Sequence, residues 1–269
     1  MLLSFDILER NIDLLNKINV FPVADGDTGK NLYNTVKDLE NVSLNDLKTF
    51  LKEASIITMT NGTGSSGNIL ALFIVGLLQN YNENLSLMCK MAAQFTWNTM
   101  FEPVEGTILT AMKDVPKEYN SVEDFIYKYI QNTYQNLMIG PDILSVLKEN
   151  KTLDSGTLGF LYILCDIYKC MTGEDISPNI DLSEPSYILN DLNNDRYCVE
   201  ISLISNRQEL KQFLSKEGSE LIYLSSGDKI KLHIHTNNYI KVIDLCKEFG
   251  QIINYKIEDM KNKNERIIL

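Results

Sequence analysis

The chain has 269 residues, 44% of them hydrophobic and 23% charged, as expected of a globular protein with a real core and room for one large domain or two ordinary ones. A net charge of −11 argues against nucleic acid or an anionic membrane as partner, because both need basic patches. A polyanionic ligand would need metal ions or backbone N–H groups to bridge it to such a surface.

Taken in chain order, "MLLSFDILERNIDLL" carries acidic residues early and lacks the charge order of a signal peptide. Leu8, Ile12, Leu15 and Ile18 then recur at helical spacing. After the turn-rich stretch 19–30, Asn31 is expected to open a helix. Ser43 is placed to cap another, with Leu44, Leu47, Leu51 and Ala54 on one face. Ile69 to Leu78 is apolar all round, as in the central helix of a bundle, and too short to span a bilayer. "NLSLMCKMAAQFTWNTM" and "GTILTAMKDV" continue as helices. Ser121 and Asp124 form a capping-box-like start to the next. Ile143 to Lys148 is a short helical piece stopped near Asn150, and "TLGFLYILCDIYKCMTG" ends at Gly173, a C′ residue.

The period then changes. Residues 174–186 hold two prolines and little periodicity, so the expected division is a helical domain over 1–175, a linker over 176–190 and an α+β domain over 191–269. "RYCVEISLI" alternates Tyr197, Val199, Ile201 and Leu203 against Cys198, Glu200 and Ser202. "RQELKQFLSKEG" reads as a helix, "ELIYLS" and "KIKLHIHT" as strands, "YIKVIDLCKEFG" as a helix and "IINYKIED" as a last strand. The order βαββαβ is the ferredoxin-like signature. Cys89, Cys165, Cys170, Cys198 and Cys246 are odd in number with no C-x-x-C, which suits reduced thiols in a cytoplasmic protein.

Four short stretches carry chemistry. In "ADGDTG" (24–29), Asp25 and Asp27 can point at one site if the chain turns tightly, as oxygen ligands for a hard cation such as Mg²⁺. Gly26 and Gly29 would let backbone N–H groups approach a phosphate, and the helix at Asn31 would favour an anion at its start. A solvated turn with an N-cap explains the same letters. A P-loop does not, because Gly26 to Asn31 reads G-x-x-G-K-N. An aspartyl-phosphate loop would want threonine where Gly29 stands, and a buried strand where Pro22 sits badly. In "TNGTGSSGNILALF" (60–73), Gly62, Gly64, Gly67, Ser65 and Ser66 lead into the apolar helix and would offer N–H and hydroxyl donors to phosphate oxygens. "PVEGTILTAM" (103–112) and "LDSGTLGF" (153–160) each set a small turn before a helix. They read either as further loops at the same end of a helical bundle or as plain connections.

These four stretches, in this order and spacing, resemble the nucleotide-binding domain of dihydroxyacetone kinases, and more closely its relative, the ATP-binding subunit of bacterial fatty acid kinase. The resemblance covers about residues 1 to 175, and "RYCVE" and "KLHIHTNN" extend it through that subunit's middle domain. It implies a barrel of antiparallel amphipathic helices with ATP and two Mg²⁺ at one end, the metals on Asp25 and Asp27 with Asn19 as a further polar ligand. The dihydroxyacetone branch uses a third aspartate shortly before the pair, and Asn19 is the nearest polar residue there. Thr28, Gly64, Ser65 and Ser66 would contact phosphates; Thr107, Asp154 and Gly156, with Asn31, would lie near the nucleotide. The loop "GTGSSG" lacks the Arg-Gly-Asn common in the fatty acid kinase branch. The chain ends at "NERIIL", about where a further C-terminal domain would begin, so a fragment or a short homologue is expected.

His233 and His235 lie in one strand, on the face opposite Ile230, Leu232 and Ile234. The first and third strands of a ferredoxin-like sheet are neighbours, so Cys198 can converge with them. Cys plus two His with an open position is a zinc set; two polar residues on a solvated face are the alternative. The resembled middle domain carries a similar Cys and His pair, which favours Zn²⁺. The expected activity is ATP-dependent phosphoryl transfer to the carboxylate of a fatty acid presented by a separate fatty-acid-binding protein, giving an acyl phosphate. A dihydroxyacetone-type kinase acting on a small ketose, an inactive nucleotide-binding sensor, and a homodimer stay open. No integral membrane segment is expected.

Overall fold

Side-chain acceptors, more than apolar periodicity, decide where the helices of this chain begin. A computed structural model describes residues 2–100, 102–180, 195–207, 209–226 and 228–260. The chain divides into two compact units, Met1–Trp97 with Val104–Asn190, and Asn98–Pro103 with Asp191–Leu269. The expected linker over 176–190 lies from residue 181 onward outside the described residues.

The first unit is helical. Helices α1 (Asp6–Arg10) and α2 (Ile12–Lys17) precede the turn-rich stretch, and α3 (Thr28–Val36) follows it. Helix α3 begins at Thr28, earlier than the expected start at Asn31. The reason is local: Asn16 Oδ1 accepts the N–H groups of Gly29 and Lys30 at 2.9 and 3.3 Å, supplying partners the first turn lacks. Helix α4 (Leu47–Asn61) corrects the Ser43 cap. Its N-cap is Asp46, whose carboxylate accepts the Thr49 N–H at 2.8 Å. Helix α5 (Gly64–Gln79) starts before the expected apolar run, so residues 64–67 are a helical first turn and not a loop. Helices α6 (Leu85–Thr99), α7 (Ile108–Lys113), α8 (Val122–Ile143), α9 (Ser145–Glu149) and α10 (Ser155–Thr172) complete the set. Ser121 caps α8 through the Asp124 N–H, and Gly173 closes α10 in the left-handed conformation.

Helix α10 is buried from Ser155 to Asp166 and packs against α1, α2, α3, α7 and α8. At Gly159 an added Cβ would fall 2.2 Å from Leu32 Cδ1, so a larger residue here would have to displace the Leu32 side chain of α3. Asp166 points from α10 at the start of α1, where its two oxygens accept the Ile7 and Leu8 N–H groups at 2.9 and 3.0 Å. The helices line a partly open apolar cavity of about 410 Å³, with Leu39, Phe50, Leu70, Phe73, Phe125 and Phe160 in its wall. No helix among the described residues is long and apolar enough to cross a membrane.

The second unit carries a four-stranded antiparallel sheet. Its elements run β1 (Tyr197–Ile204), α11 (Leu210–Leu214), β2 (Ser219–Ser226), β3 (Lys229–Thr236), α12 (Tyr239–Phe249) and β4 (Gln251–Asp259). The strand order is β2-β3-β1-β4. Helix α11 is shorter than the stretch 207–218 read as helical. Val199, Ile201 and Leu203 of β1 and Ile230, Leu232 and Ile234 of β3 form one core with Leu210, Leu214, Val242 and Cys246 of the helices. The period of two therefore sends Cys198, Glu200, His233 and His235 to the other face.

Candidate nucleotide and metal sites

The loop between α2 and α3 is built around Asn19, which is 3% exposed. Its Oδ1 accepts from the Asp27 N–H, the Thr28 N–H and the Thr28 hydroxyl at 3.2, 3.3 and 2.9 Å, and its Nδ2 donates to the Val23 carbonyl at 2.9 Å. Gly26 takes φ +68°, a turn conformation that favours glycine. Asp25 and Asp27 are half-buried on this loop. Asn19 and the Thr28 hydroxyl are thus bound to each other, holding the loop on which the acids sit. Gly29 has a different task from the one its letters suggested. A Cβ there would lie 2.5 Å from the Ile12 carbonyl oxygen, so it permits close packing of α3 on α2.

The remaining predicted residues gather at the beginnings of helices. Asn31 is buried in α3, accepts the Thr63 hydroxyl at Oδ1 over 2.9 Å, and lies so close to Gly64 that a Cβ there would sit 2.3 Å from Asn31 Nδ2. Thr63 is the N-cap of α5 but makes no side-chain cap bond to it. The half-buried Ser65 and Ser66 follow in the first turn. Ser66 Oγ would be 3.1 Å from a Cβ at Gly156, which places the starts of α5 and α10 side by side. Asp154, 5% exposed, caps α10: its Oδ2 accepts the Thr157 N–H at 2.7 Å and the Thr157 hydroxyl at 2.8 Å. Burial pushes the Asp154 carboxyl up, against the Thr157 bonds and the Ile108 N–H, which pull it down. The Ile108 contact ties α10 to α7, where Thr107 is the N-cap. The starts of α3, α7 and α10 each have a side-chain cap or brace, and α5 has none from its N-cap residue. A helix N-terminus is where an anion is best held.

In the second unit, Cys198 stands opposite His235 and Glu200 opposite His233 across β1 and β3. Cys198 Sγ is 3.7 Å from His233 Nδ1, and the two histidine Nε2 atoms are 3.1 Å apart. One ligand atom from each of Cys198, His233 and His235 lies within 4.8 Å of the others. Zn–S bonds of about 2.3 Å and Zn–N bonds of about 2.0–2.1 Å keep the ligands of one ion at separations of this order. Both histidines are buried, which excludes the solvated-face alternative, and His235 Nδ1 has no hydrogen-bond partner. Burial, then the charge of His233, pushes His235 down to about 3; burial pushes the Cys198 thiol up, against His233. Burial lowers the His233 imidazole, but Cys198 and Glu200 outweigh it and raise it, whereas a bound cation would need a neutral imidazole and a thiolate.

Sequence reasoning passed over Asn16, Asp166 and Glu200. Only Glu200 left a signal, since C-x-E in an alternating strand puts its side chain on the face of Cys198.

Compared with known proteins, residues 22–169 match the family model of the DAK2 domain. Residues 194–267 match the model for the middle domain of FakA-like fatty acid kinase proteins. Uncharacterized proteins of Staphylococcus aureus strains USA300, N315 and Mu50 are 28% identical over a 297-residue alignment that covers 97% of this chain and 54% of each relative. The chain therefore spans about half the length of the curated relatives it matches. The first match contains Asp25, Asp27, Ser65, Ser66, Thr107 and Asp154; the second contains Cys198, His233 and His235.

Proposed function

We propose, from the premise that this chain belongs to the DAK2 domain family and carries a FakA-like fatty acid kinase middle domain, that it phosphorylates a fatty acid held by a separate binding protein. The kinase-family, nucleotide-binding character follows from the family itself. The acceptor and the partner are the proposal. The finer fold is also proposed: an antiparallel helical barrel over residues 1–175, a linker over 176–190 and a ferredoxin-like domain over 191–269, for which the split order β2-β3-β1-β4 is the support.

The observation that carries the reading is the meeting of four motif-bearing helix starts beside a loop with two half-buried aspartates. Asp25 and Asp27 would hold Mg²⁺, and the first turn of α5, with Ser65 and Ser66, would face the phosphates. The donor set fits a hard cation: two carboxylates, with phosphate oxygens and water completing an octahedron. Bound there, Mg²⁺·ATP supplies the transferable phosphoryl group and the charge neutralisation its departure needs. Asn19 would hold the loop rather than ligate, since its Oδ1 already accepts from three donors. Asp154 fixes α7 and α10 against each other. A fatty acid carboxylate is already ionised, so its oxygen can take the phosphoryl group with no general base, and the bond from the γ-phosphorus to ADP breaks.

In the second unit, Cys198, His233 and His235 would hold Zn²⁺ with one position left for water or a partner group. The ligand spacing fits this group. All five cysteines are free thiols, which supports a reducing, cytoplasmic setting. The test is ATP turnover with a fatty-acid-loaded binding protein, with acyl phosphate trapped by hydroxylamine. Hydroxamate formed only with the loaded partner supports the reading. Turnover with a ketose-loaded subunit, or ATP binding without turnover, replaces it with the ketose kinase or the sensor.

A further inference from the structure

One carboxylate in the second unit is placed to act on the zinc ligands without joining them. Glu200 pairs with His233 across β1 and β3, and its Oε1 is 3.4 Å from His233 Nδ1. Its side chain is 11% exposed. It lies outside the compact set of Cys198, His233 and His235 ligand atoms. The far nitrogen of the same ring, Nε2, faces Nε2 of His235 at 3.1 Å. A neutral imidazole that offers a lone pair at Nε2 carries its hydrogen at Nδ1. A carboxylate at Nδ1 selects that tautomer, fixes the ring and raises the basicity of Nε2. Cys198 Sγ is the other neighbour of Nδ1, but at 3.7 Å it is the more distant, and the zinc reading assigns it to the ion.

We infer that Glu200 is the positioning residue of this metal centre: it accepts the Nδ1–H of His233 and so aims Nε2, with Nε2 of His235, at the ion. This rests on the reading of Cys198, His233 and His235 as a metal site. The sheet explains why a nearly buried carboxylate is tolerated here. Lys256 stands opposite Glu200 on β4, and Lys231 lies on the same face of β3 at the next same-facing position before His233. Both lysines bring positive charge to the face of the sheet that carries the carboxylate.

The experiment uses the full chain, stripped of metal and titrated with Zn²⁺ against a chromophoric chelator, then with Co²⁺ by absorption. Glu200→Gln and Glu200→Ala are compared with Ser202→Ala, a same-face change at the next position of β1. Glu200→Ala should weaken metal binding roughly 10–100-fold, the usual effect of losing a second-layer partner, and Glu200→Gln less, because an amide oxygen still accepts from Nδ1–H. The saturated Co²⁺ spectrum should keep its thiolate charge-transfer and d–d bands in both, since no ligand is lost. Unchanged affinity in Glu200→Ala, or a changed saturated spectrum in Glu200→Gln, would overturn the role given to Glu200 while leaving the metal site intact. A parent chain that binds neither ion removes the metal reading, and this inference with it. Glu200→Gln is near-isosteric, so it decides the matter even where Glu200→Ala fails to fold.

Discussion

The two units build their sites in opposite ways. In the sheet, Cys198, His233 and His235 are aligned by strand register, so side chains carry the chemistry and the backbone only sets their phase. In the helical unit the backbone is the instrument. Helix starts from distant parts of the sequence are brought together, and what distinguishes them is which N–H groups a side chain already satisfies. A site of side chains fails when a ligand is removed; a site of backbone donors fails when the braces that place it are removed.

The sharpest break between the two should come from His233→Ala/His235→Ala. Two of three ligands are lost, so zinc content measured on the purified, untagged protein should fall from about one per chain to none. Mg²⁺·ATP affinity by calorimetry should not change, because those residues belong to the other unit. Zinc should also leave the parent on acidification, since protons compete for the imidazoles and the thiolate. A loss of ATP binding in this variant would show that the two sites are not separate.

Asp25→Ala/Asp27→Ala should have the next largest effect. Both side chains are half-buried in a loop, so the denaturant midpoint should hardly move. Phosphoryl transfer should fall by about 10²-fold or more, the scale of losing charge stabilisation at a reacting phosphoryl group. Unchanged Mg²⁺·ATP affinity would assign the pair to an ordinary turn.

Asn19 tests the backbone half of the comparison. Asn19→Ala leaves the Asp27 and Thr28 N–H groups without their acceptor, and should destabilise the fold by about 1–3 kcal/mol in urea unfolding while weakening Mg²⁺·ATP binding. Asn19→Asp separates brace from ligand. It keeps an acceptor but loses the donor to Val23, so a brace predicts weaker Mg²⁺·ATP binding and a metal ligand predicts tighter binding.

These contrasts also explain what the letters revealed. The face shared by Cys198, His233 and His235 was legible because a period of two is the whole of the information needed, and all three obey it. The element order of the second unit was legible for the same reason. The helical site was legible as a set of motifs but not as an arrangement. Gly29 and Gly67 read as openings for phosphate, yet a Cβ on Gly67 would sit 2.6 Å from Thr35 Oγ1, and Gly29 meets the Ile12 carbonyl. A glycine that admits a ligand and one that admits a neighbouring helix are the same letter. Asn16 gave no sign of capping α3, because an acceptor that reaches N–H groups well ahead of it depends on how the intervening loop reverses.

The smallest expected effect concerns the first turn of α5. Read as a loop over 62–67, this stretch would order broadly on adding ATP; as a helical turn it is already formed, and nucleotide would add partners only at its first N–H groups. Hydrogen exchange should therefore slow at Ser65 and Ser66 when Mg²⁺·ATP is added, by a modest factor, with little change deeper in α5, where intrahelical bonds protect the amides already. The start of α10 should change less, since Asp154 holds the Thr157 N–H in the absence of nucleotide. Protection spread evenly over 62–73 would show instead a loop that nucleotide orders. Protection at the start of α10 and not of α5 would move the phosphates to the other helix.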